Sequence, residues 1–118
     1  MPRQPANRKR EAVNRRKKIS ESTRVPVALT ARERELILEH TDADDELLAP
    51  VRLLPEVGKQ VAKYTLYDIE ELQGFVAAEA NHANDRRLER ELSALHEHLQ
   101  REMEKYDDGN WQTAGSSR

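Results

Sequence analysis

Apolar positions change rhythm several times along this chain, and the changes locate its elements. In VPVALT, residues 25–30, Val25, Val27 and Leu29 alternate with other residues, the period-two signature of a half-buried strand. Pro26 confines that strand to a sheet edge, because proline has no N–H to give to a ladder. Thr30 and Glu33 then spell a capping box, in which hydroxyl and carboxylate each satisfy a backbone N–H at the helix start. The helix so opened is predicted to run to about His40, burying Leu29, Leu36, Ile37 and, at its margin, Leu38.

Acids in TDADDE, 41–46, mark the next helix start, where they oppose the positive end of its dipole. Leu47, Leu48, Val51, Leu53 and Leu54 follow, interrupted by Pro50 and closed by Pro55 and Gly58, which predicts a short or broken helix and a turn. VAKYTL, 61–66, reads as a second strand with Ala62, Tyr64 and Leu66 to one side, and Thr65 with Asp68 three residues on reads as a second cap. Leu66, Ile69, Leu72, Val76 and Ala80 then recur near the 3.6-residue period, with Phe75 flanking, so a long helix is expected. Gly74 inside it costs about 1 kcal/mol relative to alanine. Gly74, Ala77, Ala78 and Ala80 therefore predict the close approach of a neighbouring backbone.

ANHAND, 80–85, breaks the pattern. A last helix carries Leu88, Leu92, Leu95, Leu99, Met103 and Tyr106, with Gly109 as its terminator. That stripe is expected to pack on the Leu66–Ala80 helix; its alternative is a partner or dimer interface through Leu92 and Leu99. The runs VPVALTARE and VAKYTLYDIE share one order: strand, threonine, acid at the third position, helix. Their side chains match too poorly for a repeat, yet pairing of the two strands into a ribbon would fix where both helices begin.

Charge divides the chain differently. Residues 1–24 carry nine lysines and arginines against Glu11 and Glu21, a net charge of +7, while residues 25–118 carry eleven against twenty acids, a net of −9. The lead segment also holds almost no apolar side chain, so it cannot offset its ordering entropy by burial and is expected to be a disordered arm. Within it NRKREAVNRRKK, 7–18, places Arg8, Lys9, Arg10, Arg15, Arg16, Lys17 and Lys18 where they could contact phosphates. The arm has no aromatic residue, which argues against stacking on single-stranded bases. RRKK, 15–18, also has the composition of a nuclear localisation signal. A basic-zipper reading fails on spacing and on Pro26.

Other chemistry is sparse. The chain has no cysteine, which excludes disulfides, thiol catalysis and cysteine-bound zinc. Glu79 and His82 form one E-x-x-H pair, whereas di-metal bundles use two such pairs with further glutamates, so no metal and no cofactor are expected. His96 and His98 project to different sides of a helix, and His40 stands alone. Asp42, Asp44 and Glu46 begin like a calcium loop, but Leu47 holds the place of its turn glycine and Leu53 that of its bidentate acid. There is no Gly-rich phosphate loop. No run reaches the roughly 18 apolar residues of a membrane span, and the basic lead segment lacks the apolar stretch of a secretory signal. These features together predict a cytoplasmic protein that is not an enzyme.

VPVALTARERELIL, YTLYDIEELQGFVAAEANH and DRRLERELSALHEHLQ resemble stretches of small bacterial proteins of unknown function that join a basic tail to a helical body. The resemblance spans about residues 24–106, with GFVAAEANH, 74–82, its most particular piece. It implies bacterial origin and a compact α-rich fold, and it implies no activity.

The expectation is therefore a mainly α fold: a disordered basic arm over 1–24, a compact bundle of about four helical segments with a short two-stranded β ribbon over 25–108, and a flexible tail over 109–118 containing Trp111. The expected function is binding. The arm would contact an anionic partner, nucleic acid first, and the acidic body would contact protein; the alternative is a protein–protein interaction or regulatory module, a homodimer being one form of it, whose arm only aids solubility.

Overall fold

The computed structural model describes residues 16–107. Eight elements follow in order: β1 (Lys17–Lys18), β2 (Val25–Leu29), α1 (Ala31–His40), α2 (Asp45–Arg52), β3 (Gln60–Tyr64), α3 (Leu66–His82), α4 (Arg86–Met103) and β4 (Tyr106–Asp107). The mainly α fold with a two-stranded ribbon is thus observed, with four helices among the described residues.

The ribbon is built as the alternation requires. β2 and β3 pair antiparallel, with Val25 opposite Tyr64, Val27 opposite Ala62 and Leu29 opposite Gln60. Val25, Val27, Leu29, Ala62 and Tyr64 face inward and are buried, whereas Pro26, Val61 and Lys63 lie on the outer face. Each strand delivers the chain straight into a helix through its threonine. At Thr30 the capping box is complete: the Glu33 N–H donates to Thr30 Oγ1 at 3.1 Å, and the Thr30 N–H donates to Glu33 Oε1 at 2.9 Å. At Thr65 only the forward bond forms, from the Asp68 N–H to Thr65 Oγ1 at 3.1 Å. Aspartate is one methylene shorter than the glutamate that closes the box.

α3 and α4 form the longest contact of the molecule. The turn between them ends α3 at His82 and caps α4 with Asp85, whose carboxylate accepts the Arg87 N–H at 2.9 Å. Ile69, Leu72 and Val76 of α3 meet a core that includes Leu92, Leu95, Leu99 and Met103 of α4. One polar stitch crosses the seam: the buried Gln73 amide donates to the His96 carbonyl at 3.2 Å and to Gln100 Oε1 at 2.9 Å. α2 closes the core from the other side with Leu47, Leu48 and Val51. The buried Tyr64 hydroxyl donates to the Leu47 carbonyl and ties the ribbon to that helix. Gly58, in the turn that leads to β3, has φ of +64°, a left-handed conformation that glycine adopts without a Cβ penalty.

Four expectations are corrected. The segment 16–24, expected as part of a disordered arm, is ordered: β1 pairs in parallel with β4, Lys17 opposite Tyr106 and Lys18 opposite Asp107. Backbone bonds from the Lys17 N–H to Lys105 O and from the Ile19 N–H to Asp107 O, each 2.9 Å, hold it, and Ile19 packs against the core. Two ladder bonds and one apolar anchor replace the burial that its composition lacked. Tyr106 belongs to β4, after α4 has ended at Met103. Gly74 is exposed, and a Cβ there would meet nothing within 4 Å, so no backbone approaches it. Leu92 and Leu99 are each 0% exposed inside the α3–α4 core; burial within the single chain removes them from any partner or dimer interface. The remainder of the expected arm and the tail with Gly109 and Trp111 lie outside the described residues.

Candidate functional site

Of the seven basic residues expected to contact nucleic acid, Arg8, Lys9, Arg10 and Arg15 lie outside the described residues. Arg16 is half-buried at the start of β1, and Lys17 and Lys18 are exposed on it. The backbone pairing of Lys17 and Lys18 with β4 sets them beside the C-terminal end of α4.

His82 is exposed and Glu79 half-buried at the end of α3, and no cluster of three or more possible ligands occurs among the described residues. The acids of TDADDE stand at the start of α2: Asp44 is its N-cap residue without a side-chain cap bond, and Asp45 and Glu46 lie in the first turn, where they oppose the positive end of the helix dipole. No described helix is long and apolar enough to cross a membrane.

Tertiary packing instead assembles a polar network around α1. Arg32 makes a two-pronged contact with Glu91 of α4, Nη2 to Oε1 at 2.7 Å and Nε to Oε2 at 3.0 Å, while its Nη1 reaches Glu35 at 2.7 Å. These hydrogen bonds raise the arginine's pKa, and the same contact with Arg32 holds the Glu91 carboxyl below its ordinary range. The next residue repeats the connection: Oε2 of Glu33, already in the capping box, lies 2.8 Å from His98 Nδ1. The opposite ring nitrogen of His98 stands 3.7 Å from Glu102. Carboxylates on opposite nitrogens cannot converge on one ion, so this group connects α1 to α4 and chelates nothing.

Arg34 is the residue that sequence reading passed over. It is 4% exposed, and it donates from Nη1 to the Leu29 carbonyl at 2.7 Å and from Nη2 to the Pro55 carbonyl at 3.1 Å. Among the described residues no carboxylate pairs with it. A buried arginine is ordinarily matched by an anion, because a desolvated charge is costly. Its place was recoverable: Arg34 precedes Ile37 by three residues and Leu38 by four, so the helical period puts it on the inward stripe. Its polarity concealed it.

Arg34 lines a cleft of about 550 Å³ between α1 and the α2–β3 connection. Leu38, Val51 and Leu54 supply apolar wall, and Glu35, Glu39 and Glu56 bring acids to the same cleft. Two large apolar side chains stand in solvent on that connection, Leu53 at 86% and Val57 at 73% exposure. No protein-family model, no curated protein and no solved structure matches this chain, so the resemblance to small bacterial proteins gains no support from comparison.

Proposed function

We propose that this protein is a non-enzymatic cytoplasmic binding module whose basic N-terminal segment engages an anionic partner, nucleic acid above all. The acidic helical body, in this reading, engages protein. One observation carries it: the chain segregates a net charge of +7 into residues 1–24 and −9 into the rest. Support also comes from the exposed Lys17 and Lys18, carried at the margin of the body by β1. Cationic side chains that neutralise phosphates gain affinity from released counterions and lose it steeply with salt. For the body, the excess of acids over bases favours a protein partner with a basic surface.

The test uses the full chain and a full-length variant with Arg8, Lys9, Arg10, Arg15, Arg16, Lys17 and Lys18 replaced by glutamine. Fluorescence anisotropy with duplex DNA and with RNA across a salt series is expected to show binding by the natural chain alone. The log–log salt slope on DNA should be about −0.9 for each phosphate contacted. Equal affinity of the two chains would remove the basic segment from the function and leave the protein–protein reading.

A further inference from the structure

We propose that the cleft between α1 and the α2–β3 connection binds a small carboxylic acid with a short aliphatic body, its carboxylate received by the guanidinium of Arg34.

Aligning the chain on its two strand-to-helix junctions shows how unusual this arginine is. Four residues after Thr65 stands Ile69; four residues after Thr30 stands Arg34. Both positions are buried, at 0% and 4% exposure, and both backbones make the same first-turn bond, Ile69 N–H to Thr65 O and Arg34 N–H to Thr30 O, each 3.0 Å. The equivalent sites differ only in what fills them. An aliphatic side chain satisfies the buried position at one junction, so burial alone does not call for a cation at the other.

The guanidinium is also incompletely engaged. It has five N–H donors in a planar fork, and two hydrogen bonds to protein, both to neutral backbone carbonyls, account for its partners among the described residues. Among the described residues it forms no ion pair with a carboxylate, although Glu35, Glu39 and Glu56 share the cleft that it lines. A carboxylate is the anion whose two oxygens match a guanidinium fork. The walls formed by Leu38, Val51 and Leu54 select a ligand with an aliphatic portion. Arg32, Arg34 and Arg52 line the cleft together with Glu35, Glu39 and Glu56, three cations against three acids, so a singly charged anion suits it better than a multiply charged one such as a phosphate ester. Free branched amino acids and simple branched fatty acids share the required chemistry, and the experiment separates them.

The full chain, labelled with ¹⁵N and with ¹³C-methyl groups, would be titrated with leucine, with 4-methylpentanoate, with 3-methylbutylamine and with inorganic phosphate. Saturable shifts centred on Leu38, Leu54 and the Arg34 side chain, produced by leucine or 4-methylpentanoate and not by the amine or phosphate, are expected. Response to leucine alone identifies the amino-acid source, and response to both identifies the carboxylate with its aliphatic body as sufficient. Arg34→Met keeps the site filled and is expected to weaken binding by about tenfold or more, the scale of a charged hydrogen bond. Leu54→Trp blocks the cleft without touching Arg34 and is expected to abolish binding; circular dichroism verifies that each variant folds. No saturable response to either acid, an equal response to the amine or phosphate, or unchanged binding in a folded variant overturns the proposal.

Discussion

The two strand-to-helix junctions follow one local design and are fastened to the molecule by different forces. At the first, Thr30 completes a reciprocal box and α1 is tied to α4 by polar contacts, the ion pair of Arg32 with Glu91 and the hydrogen bond between Glu33 and His98. At the second, Thr65 makes a single cap and α3 is fastened to α4 by a continuous apolar seam through Ile69, Leu72 and Val76. Local capping sets where a helix begins, while the residues on its inward stripe decide how firmly it is held. Apolar burial survives salt and ordinary pH changes; exposed ion pairs do not.

The largest effect should come from the apolar junction. Ile69→Ala removes a fully buried side chain and is expected to cost about 2–5 kcal/mol in urea unfolding. A loss near that of a surface change would mean that the second junction is not held by its seam.

Next comes Tyr64→Phe, which deletes the hydroxyl that donates to Leu47 and should cost about 1 kcal/mol at neutral pH. Burial raises the Tyr64 pKa well above the ordinary phenol range. Because the folded value exceeds the unfolded one, this group's contribution is complete below the ordinary phenol pKa and is lost as pH climbs above it. The natural chain should therefore lose stability in the alkaline limb faster than Tyr64→Phe does, and parallel limbs in a pH series of urea melts would contradict this.

The threonines give a direct comparison. Thr30→Ala should cost about 1 kcal/mol and Thr65→Ala less, within the usual span for lost caps, because only the first dismantles a reciprocal pair. Equal losses would show that the back-bond from Glu33 adds nothing.

The smallest change is expected from Arg32→Ala or Glu91→Ala, whose charges face solvent. Each should shift the melting temperature slightly at low salt and not at all at high salt, as screening removes the interaction. A shift that persists in high salt would move the first junction into the same class as the second.

Much of this architecture was readable because it is written at short range. The alternation of Val25, Val27 and Leu29, the caps at Thr30 and Thr65, and the 3–4 spacing of Leu88 through Met103 each report a repeat of one backbone geometry. All four helix positions follow from such signals, and so does the ribbon. What was missed depends on partners distant in sequence. Lys17 and Lys18 have no local strand signal and are ordered by the strand Tyr106–Asp107 beside them and by Ile19 packed on the core. Gly74 suggested a close backbone neighbour, but α3 presents it to solvent. Leu92 and Leu99 suited either a dimer seam or an internal one, since the stripe is the same in both; the turn at ANHAND folds α4 back onto α3 and makes it internal.

The candidate site divides along the same line. Sequence placed the cationic cluster at residues 8–18 and the opposing charge on the body, because net charge is a sum over residues and needs no fold. It did not reveal the Arg34 cleft, since an arginine on a helix ordinarily reaches water by its long stem. Amino-acid order by itself determined where the capped helices begin, the ribbon and the charge partition, all properties of neighbouring residues. Tertiary structure decided which stripe met which, which end of the chain was clasped, and which cation was shut away from water. Burial belongs to the packed molecule, and no local stretch of chain contains it.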